Sequence, residues 1–252
     1  MTDKLPLAIT IISYNESANI GRTLESVVRF AAEIIIVDSF STDDTCEIAA
    51  RYGAHIYQEA WKGMVAQKNS AMSRCTQPWI LSLDCDEVVS SKLGDDIAAA
   101  VTSGPHDAYL IKRRSHYLGK RLKYSWYPDK KLRLVRRSAQ PHFEGYDPHD
   151  RLVANGSIGE LEGDLIHYSY KNLEDHFLRI VKYAHTAARS YHVAGKKFHW
   201  YQAILRACFA FTKRYFIQRG FLDGLHGYIV AVSSFTYVLL KYFFLWEMSD
   251  DA

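Results

Sequence analysis

The chain lacks most of the signatures that assign a protein to a class at a glance. Its 252 residues include four cysteines, Cys46, Cys75, Cys85 and Cys208, far apart and with no Cys-x-x-Cys pair. That spacing argues against a zinc ribbon or dithiol motif and suits a reducing compartment. No Gly-x-Gly-x-x-Gly follows the first apolar run and no Gly-Lys-Ser/Thr occurs, which disfavours a dinucleotide fingerprint and a P-loop. Thr2, Asp3 and Lys4 lead straight into a strand-like run, so no signal peptide is expected. A net charge of +3 is too small by itself to indicate nucleic acid. With 48% hydrophobic and 23% charged residues the composition is ordinary for a globular chain. The length allows one α/β domain with an appendage.

What is present is a regular alternation. Leu7 to Ser13, Glu33 to Asp38, His55 to Tyr57 and Trp79 to Leu83 read as strands. Ile20, Leu24, Val27 and Val28, then Ile48, Ala49 and Tyr52, then Gly63 to Arg74, carry helical spacing between them. Apolar strands separated by helices predict a mostly parallel sheet covered on both faces. Ligands of such sheets bind beyond the carboxyl ends of the strands. That places Ser13, Tyr14, Asn15, Asp38 and the Asp84-Cys85-Asp86 triplet along one edge. Two carboxylates one residue apart at a buried strand end are costly without a positive partner. A hard divalent cation that also meets phosphate is the usual solution; a solvated acidic turn is the bland alternative.

Beyond residue 105 the pattern changes. Ala108 to Lys112 and Leu132 to Val135 look like strands, Phe143 to Tyr170 reads mainly as loop, and the chain looks helical from Leu173. Between Lys112 and Arg137 stand eleven Lys or Arg against one acid, Asp129, which favours an anionic partner or a solvated face. Gly227 to Trp246 is nearly all apolar or small, with Lys241 its one charge, and is close to the roughly 20 residues that cross a bilayer. Lys213, Arg214, Tyr215, Phe216, Arg219 and Phe221 precede it. This mixture suits a helix lying on or dipping into a membrane; a packed core helix and a true span are the alternatives.

The ordered motifs Ile12-Ser13-Tyr14-Asn15-Glu16, Ile36-Val37-Asp38-Ser39, Gln67-Lys68-Asn69, Leu83-Asp84-Cys85-Asp86-Glu87, Trp126-Tyr127-Pro128-Asp129, His149-Asp150 and His167-Tyr168 resemble a family 2 glycosyltransferase of the GT-A fold. Narrower still, the chain looks like the bacterial lipopolysaccharide core enzymes that add β-glucose to heptose. The resemblance covers residues 5 to 170 most strongly. It implies a GT-A domain over residues 1–172 and a helical, membrane-associating extension over 173–252. It also implies inverting, metal-dependent transfer from a UDP-sugar to a lipid-linked glycan, on the cytoplasmic face of the inner membrane and without nucleic acid. Asp86, with Asp84 and His167, would hold Mg2+ or Mn2+. Ser13, Tyr14, Asn15, Glu16, Asp38, Ser39 and Lys68 would meet the donor. Asp150, or alternatively Asp147, would be the base, and Trp126, Tyr127, Arg133 and His149 would meet the acceptor.

Two departures stand out. Asp38-Ser39-Phe40 replaces the commoner Asp-Asp-Gly, and Asp150 replaces a glutamate after the histidine. Competing classes are a haloacid-dehalogenase-like phosphatase, a nucleotidyltransferase and a non-catalytic glycan- or membrane-binding protein. The phosphatase wants a hydroxyl residue where Val88 stands, and the nucleotidyltransferase a Gly-rich basic segment after the first strand.

Overall fold

The computed structural model describes residues 4–146 and 149–249. The first half alternates as expected: β1 (Leu5–Ser13), α1 (Ile20–Val27), β2 (Ala31–Asp38), α2 (Thr45–Arg51), β3 (His55–Gln58), α3 (Met64–Ser73) and β4 (Trp79–Leu83). Then come β5 (Glu87–Val89), α4 (Ser91–Ser103), β6 (Ala108–Tyr117), β7 (Lys120–Arg121), β8 (Asp129–Arg136), β9 (His142–Tyr146), β10 (His149–Val153) and β11 (Ile158–Tyr170). The helical end comprises α5 (Leu173–Val193), α6 (Trp200–Thr212) and α7 (Leu225–Glu247).

Residues through Arg113, with Asp129–His167, form one compact unit. Its sheet runs β3-β2-β1-β4-β8-β6-β11-β5. The first four strands are parallel, with Ser13 beside Asp38 and Ile11 beside Leu83, so their carboxyl ends line up. Alternation divides the core. Leu7, Ile9, Ile11, Ile34, Ile36 and Leu81 bury against α1, α2 and α4, whereas Ala8, Ile35 and Ile80 bury against α3 and the β9–β10 hairpin. Both faces are thereby covered, which is why these strands read as unbroken apolar runs.

The mostly parallel expectation holds for this half. β8 joins β4 antiparallel, β6 joins β8 antiparallel, and β5 pairs antiparallel with β11. The chain returns from β6 to β8 without a crossover helix, and only antiparallel neighbours permit that. The segment expected to be mainly loop holds three strands. Phe143 and Leu152 face each other across β9 and β10 and are buried, while His142, Glu144 and Arg151 beside them are polar. One-sided burial gives period-two patterning, which is easily lost among Gly, Asp and His.

Arg114–Pro128 with Tyr168 onward forms a second compact unit. Asn172 caps α5 by accepting from the Asp175 amide at 2.8 Å. Ala184 and Ala188 of α5, and Ala203 and Ala207 of α6, are buried small residues in helices that pack on α7. The apolar segment from Gly227 to Trp246 lies within α7. Asp223 is buried and accepts from the amides of Lys123, Tyr124 and Ser125 at 2.9, 3.0 and 2.7 Å, pinning the 120–128 loop.

Candidate active site

The site begins where β1, β2 and β4 end. Asp38 is buried and accepts from Ser13 Oγ (2.8 Å), the Ser41 amide (2.7 Å) and Ser41 Oγ (2.5 Å). Burial raises its pKa, but the hydrogen bonds from Ser41 and Ser13 outweigh burial and hold the carboxyl below its ordinary value. The loops after β1 and β2 are stitched together. Ser41 Oγ accepts from the Asn15 amide and Asn15 Oδ1 from the Thr42 amide, both at 2.8 Å, while Thr45 Oγ1 accepts from the Glu16 amide at 2.8 Å. Ser39 Oγ accepts from Gln67 Nε2 at 3.1 Å. Tyr14 and Phe40 are exposed on these loops. Phe40 sits at φ 60°, so a bulky residue holds a left-handed turn that glycine would adopt more readily.

The Asp84-Cys85-Asp86 turn alternates. Cys85 is buried, its thiol reaching the Ile12 carbonyl at 3.2 Å and its own carbonyl accepting from Thr23 Oγ1 at 2.6 Å. Asp84 enters an ionic chain of alternating sign. Asp150 meets Lys68 Nζ at 2.9 Å, and Lys68 meets Asp84 Oδ1 at 3.1 Å. Asp84 Oδ2 meets Arg133 at 2.7 Å, and Arg133 meets Glu87 at 2.8 Å. Glu87 then meets Arg113 at 3.5 Å, which ends on Asp129 at 2.7 Å. Lys68, Arg133 and Glu87 are 6%, 5% and 0% exposed. Burial alone would push the Asp84 carboxyl up; the Arg133 and Lys68 charges win and hold it well below its ordinary range. Lys68 and Arg133 are raised by their acidic neighbours in spite of burial, so both stay charged. Glu87 Oε2 also accepts from the Asp84 amide at 3.0 Å, tying the turn to β5.

Asp86 pairs instead with His167, Oδ2 to Nε2 at 3.3 Å. His167 faces Glu87 across β11 and β5, one residue from Asp86. The structure therefore groups Asp86 with His167, and Asp84 with Lys68 and Asp150. Among the described residues no three His, Cys, Asp or Glu side chains are gathered around one ion position. Both Asp84 oxygens already face cations, so the three expected metal ligands do not converge.

Asp150 stands on β10 opposite Gly145. Asn69, next to Lys68, grips the same hairpin through Phe143. Asp147 and the side chain of His149 lie outside the described residues. Arg133, expected on the acceptor side, is instead buried within the ionic chain, because Asp84 and Glu87 both draw on its guanidinium. Trp126 and Tyr127 belong to the second unit. Trp126 lies 5.5 Å from Tyr117 and 5.7 Å from His176, ring to ring, and Tyr127 carries the Arg114 guanidinium at 4.0 Å. The basic block is partly neutralised from elsewhere in the chain: Lys112 and Lys130 pair with Glu160, Arg113 and Arg133 with Glu87, and Arg136 with Asp107. Sequence reasoning missed Glu87 and Arg113; the adjacent Asp-Cys-Asp-Glu acids and Lys-Arg-Arg run were the available signals.

A family model described as "Glycosyl transferase family 2" matches residues 8–155. The chain is 30% identical over 252 residues to the lipopolysaccharide core biosynthesis glycosyltransferase LpsC of Rhizobium meliloti, covering 95% of this chain and 92% of that protein. It is 33% identical over 234 residues to an uncharacterized glycosyltransferase of Rickettsia prowazekii, covering 88% and 80%. Among solved structures it is similar in fold to the mannosyltransferase PcManGT of Pyrobaculum calidifontis in complex with GDP-Man and Mn2+, at TM-score 0.57 and 12% identity over 98% of this chain and 89% of that one.

Proposed function

The chain belongs to glycosyl transferase family 2, and on that premise we propose that it transfers a hexose, glucose first among candidates, from a UDP-sugar to a lipid-linked glycan of the lipopolysaccharide-core kind, with inversion. One observation carries the reading. A single buried cation, Lys68, joins the acid at the end of β4 to Asp150 on the hairpin, at 3.1 and 2.9 Å. Leaving-group chemistry and acceptor chemistry thereby meet at one side chain.

In this reading Asp38, Ser39 and the loop from Ser13 to Glu16 receive the nucleoside. Lys68 meets the diphosphate, on which charge grows as the bond to the sugar breaks. Asp150 takes the proton of the attacking hydroxyl, a contribution of about 10²–10⁴-fold in rate. Asp86 and His167 are the residues that would hold a divalent cation. One carboxylate and one imidazole suit Mn2+ better than Mg2+, and the ion when bound would neutralise the leaving diphosphate.

The second unit supports a membrane-borne acceptor. From Lys196 to Leu222 there are six Lys or Arg and no acid, while Trp200, Leu205, Phe209, Phe216 and Ile217 are exposed. α7 is long and apolar enough to cross a membrane, but it packs on α5 and α6, which favours an interfacial seat on the cytoplasmic side of the inner membrane.

The deciding experiment is a thermal-shift screen of UDP-glucose, UDP-galactose, UDP-N-acetylglucosamine and GDP-mannose, with and without Mn2+, followed by UDP release on core oligosaccharide. A Mn2+-dependent shift with one UDP-sugar is expected, with Asp150→Asn retaining the shift and losing about 10²-fold or more of the release rate. Stabilisation by GDP-mannose alone, or full turnover by Asp150→Asn, would refute the reading.

A further inference from the structure

Lys68 serves two acids that differ in what else holds them. Asp84 keeps a second cation, Arg133 at 2.7 Å on its other oxygen. Asp150 pairs with Lys68 at 2.9 Å and is itself mostly buried, its side chain 12% exposed. With Oδ2 of Asp150 taken by the ammonium, that oxygen is not open to a hydroxyl. The two buried cations also differ in freedom. Arg133 holds Asp84 and Glu87 through a planar, rigid guanidinium, whereas Lys68, which bridges Asp84 and Asp150, carries a point charge on a flexible four-carbon stem.

We infer that Lys68 is a positioning residue with two successive partners: it holds Asp150 while the site is empty of nucleotide, and the diphosphate of an arriving nucleoside diphosphate draws it away, releasing Asp150 to the acceptor hydroxyl. The inference rests on the functional reading above, in which Asp150 is the base. Three features support the exchange. A diphosphate brings more negative charge than one carboxylate, and lysine binds phosphate well as a point charge. Asp84 is not stranded when Lys68 leaves, because Arg133 remains. The seven-member chain carries four acids and three cations, so transferring one cation to the donor leaves its core pair, Arg133 and Glu87, undisturbed.

The test needs no acceptor. UDP binding, at fixed Mn2+, is measured by calorimetry on the full chain for wild type, Asp150→Asn, Lys68→Met and the double variant. If Asp150 competes with the diphosphate for Lys68, Asp150→Asn binds UDP more tightly, by about tenfold or more, the scale of one charge-assisted contact. In the Lys68→Met background the same substitution leaves Kd unchanged. An equal gain in both backgrounds is the field of a lost negative charge and overturns the inference, as does no gain in either. UDP binding that behaves in one of these two ways leaves the donor assignment standing; a wild type that does not bind UDP overturns both. Should the Lys68 variant not fold, a crystal structure of the wild type with UDP decides. Lys68 Nζ on a phosphate oxygen and off Asp150 supports the exchange, and Lys68 still on Asp150 refutes it.

Discussion

Asn69 and Phe143 exchange two hydrogen bonds: the Asn69 side-chain amide donates to the Phe143 carbonyl at 2.9 Å, and its oxygen accepts from the Phe143 amide at 2.7 Å. A side chain on α3 thereby completes the edge of β9, whose partner β10 carries Asp150. Phe143 also lies 5.1 Å from Lys68 Nζ, ring centroid to nitrogen. Adjacent residues of one helix turn thus hold the hairpin at two points, Asn69 through the Phe143 backbone and Lys68 through the Asp150 carboxylate.

Asn69→Ala leaves a buried amide and carbonyl of Phe143 without partners, at a cost of about 1–3 kcal/mol. The expected outcome is a lower urea midpoint and a larger fall in kcat than in UDP affinity, because the substitution disturbs the hairpin and not the strand ends. A kcat equal to wild type would show that Asp150 does not depend on this clasp.

Much of this arrangement was legible in the sequence, and the reasons for the rest are physical. Asp38 and Asp84 follow continuous apolar runs, so their place at strand ends could be read directly. Glu87 could not be assigned, since its partners Arg113 and Arg133 are 26 and 46 residues away and no periodicity links them. The hairpin was read as loop because its buried apolar residues reduce to Phe143 and Leu152, one per strand. The basic run from Lys112 to Arg137 looked like a bare cationic surface; Glu87, Asp107 and Glu160 come from distant segments to pair with it. Phe40 shows the opposite limit, adopting at φ 60° a turn that its side chain argues against.

His176 gives the helical unit an acid limit. It is buried, its Nδ1 lies 2.7 Å from the Tyr117 hydroxyl, and burial pushes its pKa from 6.5 down to about 4. The unfolded chain therefore takes up this proton before the folded one does. The stabilisation is complete above pH 6.5 and is lost as pH falls toward 4, by about 3 kcal/mol in all. The measurement is the difference in unfolding free energy between wild type and His176→Phe at several pH values. That difference should shift in favour of the variant between those limits. A pH-independent difference would mean that His176 is not held neutral.

The exposed face of α6 and the turn after it give a vesicle prediction. Leu205→Glu with Phe209→Glu places two acids on a surface otherwise free of them between Lys196 and Leu222. Binding to vesicles containing phosphatidylglycerol should fall about tenfold or more, since both apolar burial and attraction to anionic headgroups are lost. Wild-type binding should weaken in high salt and be poor on neutral phosphatidylcholine. UDP affinity should stay at the wild-type value. Undiminished vesicle binding by this variant would move the membrane contact to another surface.

Glu87 is the strictest test of the ionic chain. It is fully buried, receives Arg133 at 2.8 Å and Arg113 at 3.5 Å, and accepts the Asp84 amide at 3.0 Å. Glu87→Gln keeps the volume but removes the charge that two guanidiniums share. Breaking a buried pair costs about 3–5 kcal/mol, and the lower end is expected because Asp84 and Asp129 still serve the two arginines. By contrast, Lys92→Ala breaks a pair whose lysine side chain is 60% exposed and should cost about 0.5 kcal/mol or less. The functional signature should differ too: without its tether to Glu87 the Asp84 turn loosens, so Glu87→Gln weakens UDP binding while Lys92→Ala does not. Equal stability losses in the two variants would reduce Glu87 to an ordinary surface-strength contact, and a normal UDP affinity in Glu87→Gln would show that Arg133 and Lys68 alone suffice to hold Asp84 in place.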